Sequence, residues 1–208
     1  MVLGAVLMLS ALLLFIYNTI EAKMAGNASR DALSSLQDII ENPNSQTTHQ
    51  PPVIQIPGAP EETTAPTEFV PTMEPETLEA VTVEGYDYIG YLSIPVYDLE
   101  LPVQSMISED RLYKSPCLEY GAPMTDDAVV AGHNYKYHFL PLHNIAVGEN
   151  VFFTYMNGFT VAYKVANRTI IDPTDIAAVL ESEHDLVLYT CTSGGASRVA
   201  VYCDRIIG

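Results

Sequence analysis

From Tyr86 onward the chain is a succession of short, strand-like runs separated by residues that turn a backbone, and this pattern leaves few folds open. The runs are Tyr88–Ile94, Tyr97–Val103, Ala128–Ala131, Asn150–Tyr155, Thr160–Ile171, Asp185–Thr190 and Arg198–Ile207, with breaks at Pro95, Pro116, Pro123, Asp172-Pro173 and Gly194-Gly195. Asn157-Gly158, between two such runs, is a strong hairpin signal. Ser108 to Lys114 and Thr174 to Leu180 read as short helices, the second with Asp175 near its amino end. Seven or eight strands in so short a span predict a mainly β fold, a closed or nearly closed barrel with one or two short helices, because closure removes exposed strand edges.

The last turn of that pattern carries the chemistry. The run Leu186 to Tyr189 delivers Cys191 to a small glycine-bearing loop, and Arg198 opens the next run seven residues later. Hairpin strands lie about 4.8 Å apart, so the loop returns a guanidinium close to the thiol. A fixed cation there lowers the cost of a thiolate and can stabilise an oxyanion. Cys117 and Cys203 lack a charged setting, and three cysteines are no disulfide framework.

A base for the thiol is expected in His133, which follows Val129-Val130-Ala131-Gly132 where a strand ends. Strand ends expose functional side chains, and Cys–His is the usual pair of nucleophile and base. The other histidines have plainer readings. His49 lies in a linker, His184 in an acidic, solvated turn, and His138 and His143 flank a short packed helix or turn, spaced so as not to share a helical face.

Together, Val187-Leu188-Tyr189-Thr190-Cys191, Arg198 and the upstream His133 resemble the motifs of the sortases, cysteine transpeptidases of Gram-positive cell surfaces. The resemblance extends over roughly Tyr86 to Ile207, with Tyr88 to Pro95 like that family's first strand and Leu99 to Val103 like its second. Val187 stands where threonine is usual, and the Cys-to-Arg loop is short. The resemblance implies Cys191 as nucleophile, His133 as acid and base, Arg198 as oxyanion and backbone holder, and Thr190 at the substrate. The implied substrate is a surface protein with a Leu-Pro-x-Thr-Gly-like carboxyl-terminal signal. The implied acceptor is a peptidoglycan precursor amine or a pilin lysine. No second hydrophobic run follows Ile207, which points away from the pilin class with a carboxyl-terminal anchor. No cofactor is required. Calcium would use Glu181, Glu183 and Asp185, although three acids in one loop are more often simply solvated.

Ahead of residues 86–208 the composition changes three times. Residues 1–20 hold an uncharged run, Val2 to Ile20, about the length that crosses a hydrocarbon core and therefore read as a transmembrane signal-anchor. A cleaved signal peptide is the rival, but its basic residues should come first, and Lys23 and Arg30 come after. The same charges give no support for an outside carboxyl terminus, so an extracytoplasmic domain is implied by the resemblance alone. Residues 21–40 carry a weak amphipathic pattern, a short helix or stalk. Residues 41–85 are expected to be a disordered tether: Glu41 to Ala80 has eight of the fourteen prolines, seven threonines, seven glutamates and no Lys or Arg. Its end lacks an aromatic anchor for folding over the site as a lid. A net charge of −17 excludes a nucleic-acid binder. Two other classes stay open: a cysteine peptidase that passes the acyl group to water, and a non-catalytic anchored adhesin.

Overall fold

A computed structural model describes residues 2–42, 74–75 and 77–207. Nine strands run β1 (Val81–Val83), β2 (Tyr86–Ile94), β3 (Leu99–Gln104), β4 (Cys117–Tyr120), β5 (Ala128–Ala131), β6 (Asn150–Tyr155), β7 (Thr160–Ile171), β8 (Leu186–Cys191) and β9 (Arg198–Arg205). The helices are α1 (Val2–Glu41), α2 (Glu109–Leu112) and α3 (Ala177–Leu180). The sheet order is β1-β2-β3-β4-β5-β8-β9-β7-β6, and β2 also pairs with β6, which closes eight strands into the expected barrel with β1 added at the edge of β2.

Alternation along the strands sorts the two faces. Leu186 and Leu188 of β8 and Val199, Val201 and Cys203 of β9 fill the barrel with Phe153, Tyr163 and Val165. Val187 and Tyr189 instead meet Val129, Ala200, Tyr202 and Val179 outside it. The β6–β7 hairpin turns at Asn157-Gly158 as expected, with Gly158 at φ 84. The weakest seam is β3–β4, where only Gln104 and Cys117 pair. Buried Gln104 reinforces it: its Nε2 donates to Arg111 O and Ser115 Oγ, both at 2.8 Å.

The segments ahead of the barrel differ from the sequence expectation. α1 is one unbroken helix of 40 residues, about 60 Å long at 1.5 Å per residue, rather than an anchor and a separate stalk. Its first half is exposed and apolar, and α1 is the one described helix long and apolar enough to cross a membrane. Its second half packs on the barrel through Ala25, Ser29, Ala32, Leu33 and Leu36, a helical stripe. Gly26 allows the closest approach, since a Cβ there would lie 2.9 Å from Tyr137, and Arg30 stacks over the same ring.

Most of the expected tether, residues 43–73, lies outside the described residues. Its final part is not without regular structure. Glu74 accepts hydrogen bonds from Arg205 and Tyr155, and Val81–Val83 forms β1. This docked end sits at the Arg205 end of β9, about 23 Å from the Cys191 end at ~3.3 Å per residue, so it is no lid over the cysteine. Ile40, at the close of α1, meets Gly158, and Pro75 lies beside Met156 and Asn157. The described residues on either side of this segment, Ile40 and Pro75, both lie at the β6–β7 hairpin, and the docked half of α1 joins its apolar half directly to the barrel.

Where α1 meets the barrel, His138 is wholly buried, its ring set against the backbone of Ala25 and Lys114. Burial pushes its pKa down from 6.5 to about 4. Below pH 6.5 the unfolded chain binds a proton that the folded chain refuses until about pH 4, so stability is full above that window and lost as pH falls through it. The loss should total about 3 kcal/mol. Denaturant unfolding in detergent at pH 7 and pH 4.5 should show most of this drop, and His138→Leu should flatten it. An equal pH slope in both proteins would contradict the assignment.

Candidate active site

Strand register brings three of the sequence-predicted residues together. β5 runs parallel to β8, and their pairing ends at Ala131–Tyr189, with Gly132 N donating to Tyr189 O at 3.1 Å. Two residues further along each strand stand His133 and Cys191. β9 runs antiparallel on the other side of β8, and Arg198 is the direct partner of Cys191. Directly opposed residues share a face with Cβ atoms about 4.5–5.5 Å apart. Cys191 and Arg198 follow Tyr189 and precede Ala200 on the outward-facing alternation, so the thiol and the guanidinium open outside the barrel.

The loop that returns β9 is short and internally bonded. Thr192 N donates to Ser197 O at 2.9 Å, Ser197 N donates to Thr192 Oγ1 at 3.1 Å, and Gly195 N donates to Thr192 O at 2.8 Å. Gly194 and Gly195 take φ values of 86 and 75. The Arg198 Nη1 donates to the carbonyls of Gly195 and Ser197, at 3.1 and 3.2 Å, which folds the guanidinium over this loop.

His133 is gripped by aromatic rings. Tyr113 and Tyr135 each lie 4.8 Å from its ring, centre to centre. Its Nε2 is buried with no hydrogen-bond partner, and burial lowers its pKa below 6.5. Gly132 makes the setting possible, because a Cβ there would lie 2.5 Å from the buried ring of Phe139. Among the cysteines, Cys117 and Cys203 are wholly buried, and burial pushes each pKa up to about 12, which keeps both as neutral thiols. Cys191 is half-exposed, and all three are free of disulfides.

Other expected residues fall elsewhere. Thr190 alternates with Cys191 into the barrel and is buried, its Oγ1 unpartnered, so its side chain does not share the outward face of the thiol. Glu181, Glu183 and Asp185 do not converge: Asp185 accepts a hydrogen bond from Arg205 N, and among the described residues no three His, Cys, Asp or Glu side chains form a metal set. His184 is not simply solvated but pairs with Asp204 at 2.6 Å.

His143 is the residue that sequence reasoning missed. Its Nε2 lies 3.1 Å from Cys191 O, a contact in which that nitrogen must carry the hydrogen. Arg168 in turn donates to His143 O at 2.7 Å. The signal was not local, since only the barrel brings the Leu140–Asn144 turn across the end of β8.

Comparison with known proteins agrees with this fold. The model of the Sortase domain family matches residues 92–206, more than half of the chain. No curated protein matches. Among solved structures, sortase C1 of Streptococcus agalactiae in complex with MTSET is similar at 22% identity and a TM-score of 0.53, over 58% of this chain and 70% of that one. Sortase A from Corynebacterium diphtheriae is similar at 22% identity and 0.54, over 59% of this chain and 62% of that one. A sortase C of Streptococcus pneumoniae shares 28% identity at 0.52, over 58% and 70%. Classes C and A fit the fold equally well, so the backbone does not divide them. On the family match and the closed eight-stranded barrel, this chain belongs to the sortase family.

Proposed function

We propose that the chain is a membrane-anchored cysteine transpeptidase that cleaves a Leu-Pro-x-Thr-Gly-like sorting signal and passes the acyl group to a cell-surface amine. The observation that carries this reading is the direct pairing of Cys191 with Arg198 beside the strand end that presents His133. An adhesin would have no use for that arrangement.

In the proposed reaction the Cys191 sulfur attacks the scissile carbonyl, and the carbonyl oxygen gains negative charge. Arg198, released from the Gly195 and Ser197 carbonyls, holds that oxygen. The C–N bond breaks as protonated His133 gives its proton to the leaving amine, and the acyl group remains as a thioester. Neutral His133 then accepts the proton of the incoming amine. His143 acts indirectly: by holding Cys191 O it fixes the end of β8 and hence the direction of the thiol. Thr190 is proposed to act through the same strand end rather than by touching substrate. The exposed apolar half of α1 is proposed as the anchor, with the barrel outside the cell as for sortases generally.

The first test is single-turnover acylation by a sorting peptide. Cys191→Ala should abolish cleavage with the fold retained. Arg198→Lys should lose roughly 10²-fold or more in acylation rate, because a point charge on a flexible stem cannot hold acceptors in fixed geometry. Near-normal rates for folded Arg198→Ala would remove Arg198 from the mechanism.

His143→Phe should keep the melting temperature within a few degrees but slow acylation about tenfold, as expected for a misdirected nucleophile. Unchanged acylation would reduce His143 to a packing residue.

A further inference from the structure

The second half of α1 does more than hold the barrel. With the two residues that follow α2, α1 lines a cleft of about 370 Å³ formed by Tyr17, Ile20, Glu21, Met24, Tyr113 and Lys114, with Ala25 and Ala28 between them. Tyr113 forms one wall of this cleft and also lies 4.8 Å from the His133 ring, so the cleft and the proposed active site share a side chain. The Nε2 of His133 is buried and unpartnered. Cys191 and Arg198 open on the opposite flank of His133, across β8 and β9, where a sorting peptide would meet the thiol. The cleft is thus a second approach to the same histidine.

Its lining has the character of a site for a cation on an apolar stem. Glu21 is the first charged residue after the apolar run, is half-buried, and has no ion-pair partner among the described residues. The neighbouring Lys114 is turned toward the Tyr86 ring, 5.7 Å from its centre, and does not neutralise it. Glu109 is a second carboxylate whose charge reaches His133, and Tyr17 and Tyr113 offer ring faces of the kind that attract ammonium groups.

We infer that Glu21 of α1 receives the primary ammonium of the acceptor in this cleft and positions it beside His133, so that the anchor helix forms part of the site for the second half-reaction. This inference rests on the transpeptidase reading. The ammonium loses one proton to solvent as it leaves Glu21, and the freed amine nitrogen attacks the thioester carbonyl. An amide bond forms as neutral His133 takes the second proton from that nitrogen, and the C–S bond breaks with its electron pair going to Cys191 sulfur, which restores the thiolate and the protonated His133 of the first half-reaction. Burial of His133 favours the neutral imidazole that this step requires. Glu21 is a positioning residue; its charge also favours the protonated His133 used in thioester formation, so its role in amine capture is read relative to acylation.

The test uses the full chain in detergent micelles, acylated by a sorting peptide, with two probe nucleophiles: cadaverine, cationic at neutral pH, and hydroxylamine, uncharged there. Glu21→Gln should raise the apparent KM for cadaverine about three- to tenfold and shift product toward hydrolysis. Its capture of hydroxylamine should change no more than its acylation rate does, so the loss is specific to the cationic nucleophile, and Glu21→Asp should fall between. A normal thioester with an unchanged cadaverine KM overturns this inference alone. An equal loss for both nucleophiles also overturns it, because that is the mark of a structural role. If wild-type protein forms no thioester, the transpeptidase reading fails, and this inference fails with it.

Discussion

The site depends on one feature of the sheet, the register of β8 between two neighbours of opposite direction. Parallel pairing with β5 ends at Ala131–Tyr189, and antiparallel pairing with β9 ends at Cys191–Arg198. A slip of one residue in either ladder would turn the cysteine into the barrel or the arginine away from it, because side chains alternate with a period of two. Packing on both faces enforces the register: Leu186, Leu188, Val199 and Val201 fill the barrel while Val187, Ala200 and Tyr202 pack outside it, so a slip would force each set into space shaped for the other. The nucleophile is therefore positioned by the core, with the His143 contact to Cys191 O as a final local constraint.

A second constraint acts at the amino-terminal side. α1 continues from its apolar half into a docked half without a break, and buried Leu36, Ala32 and Ala25 hold it to the barrel. If the apolar half crosses a membrane, His133 stands close to the membrane surface, since Glu21 and Tyr113 line one cleft beside it. Such an enzyme would meet its substrates at the bilayer.

Much of this was legible in the sequence where local pattern and tertiary demand coincide. The bounds of β5, β6 and β7 were readable from apolar runs closed by turn residues, and Cys191, His133 and Arg198 from their strand-end settings. β1 and β4 were not. Each has three or four residues and little periodicity, and β1 exists because the edge of β2 accepts it. The unity of α1 was hidden because the change of composition near Glu21 is not a helix breaker; charge changed there, but backbone preference did not. His143 and the Glu21 cleft are products of packing between distant segments, for which no local spacing gives a sign.

The most direct test of this account is tandem mass spectrometry of the intact protein after mixing with a panel of sorting peptides, with the modified residue located. The account predicts a thioester on Cys191 alone, displaced by an added amine, while the buried thiols of Cys117 and Cys203 stay unmodified. An adduct on Cys117 or Cys203 in folded protein, or peptide cleavage that persists with Cys191 blocked, would contradict it.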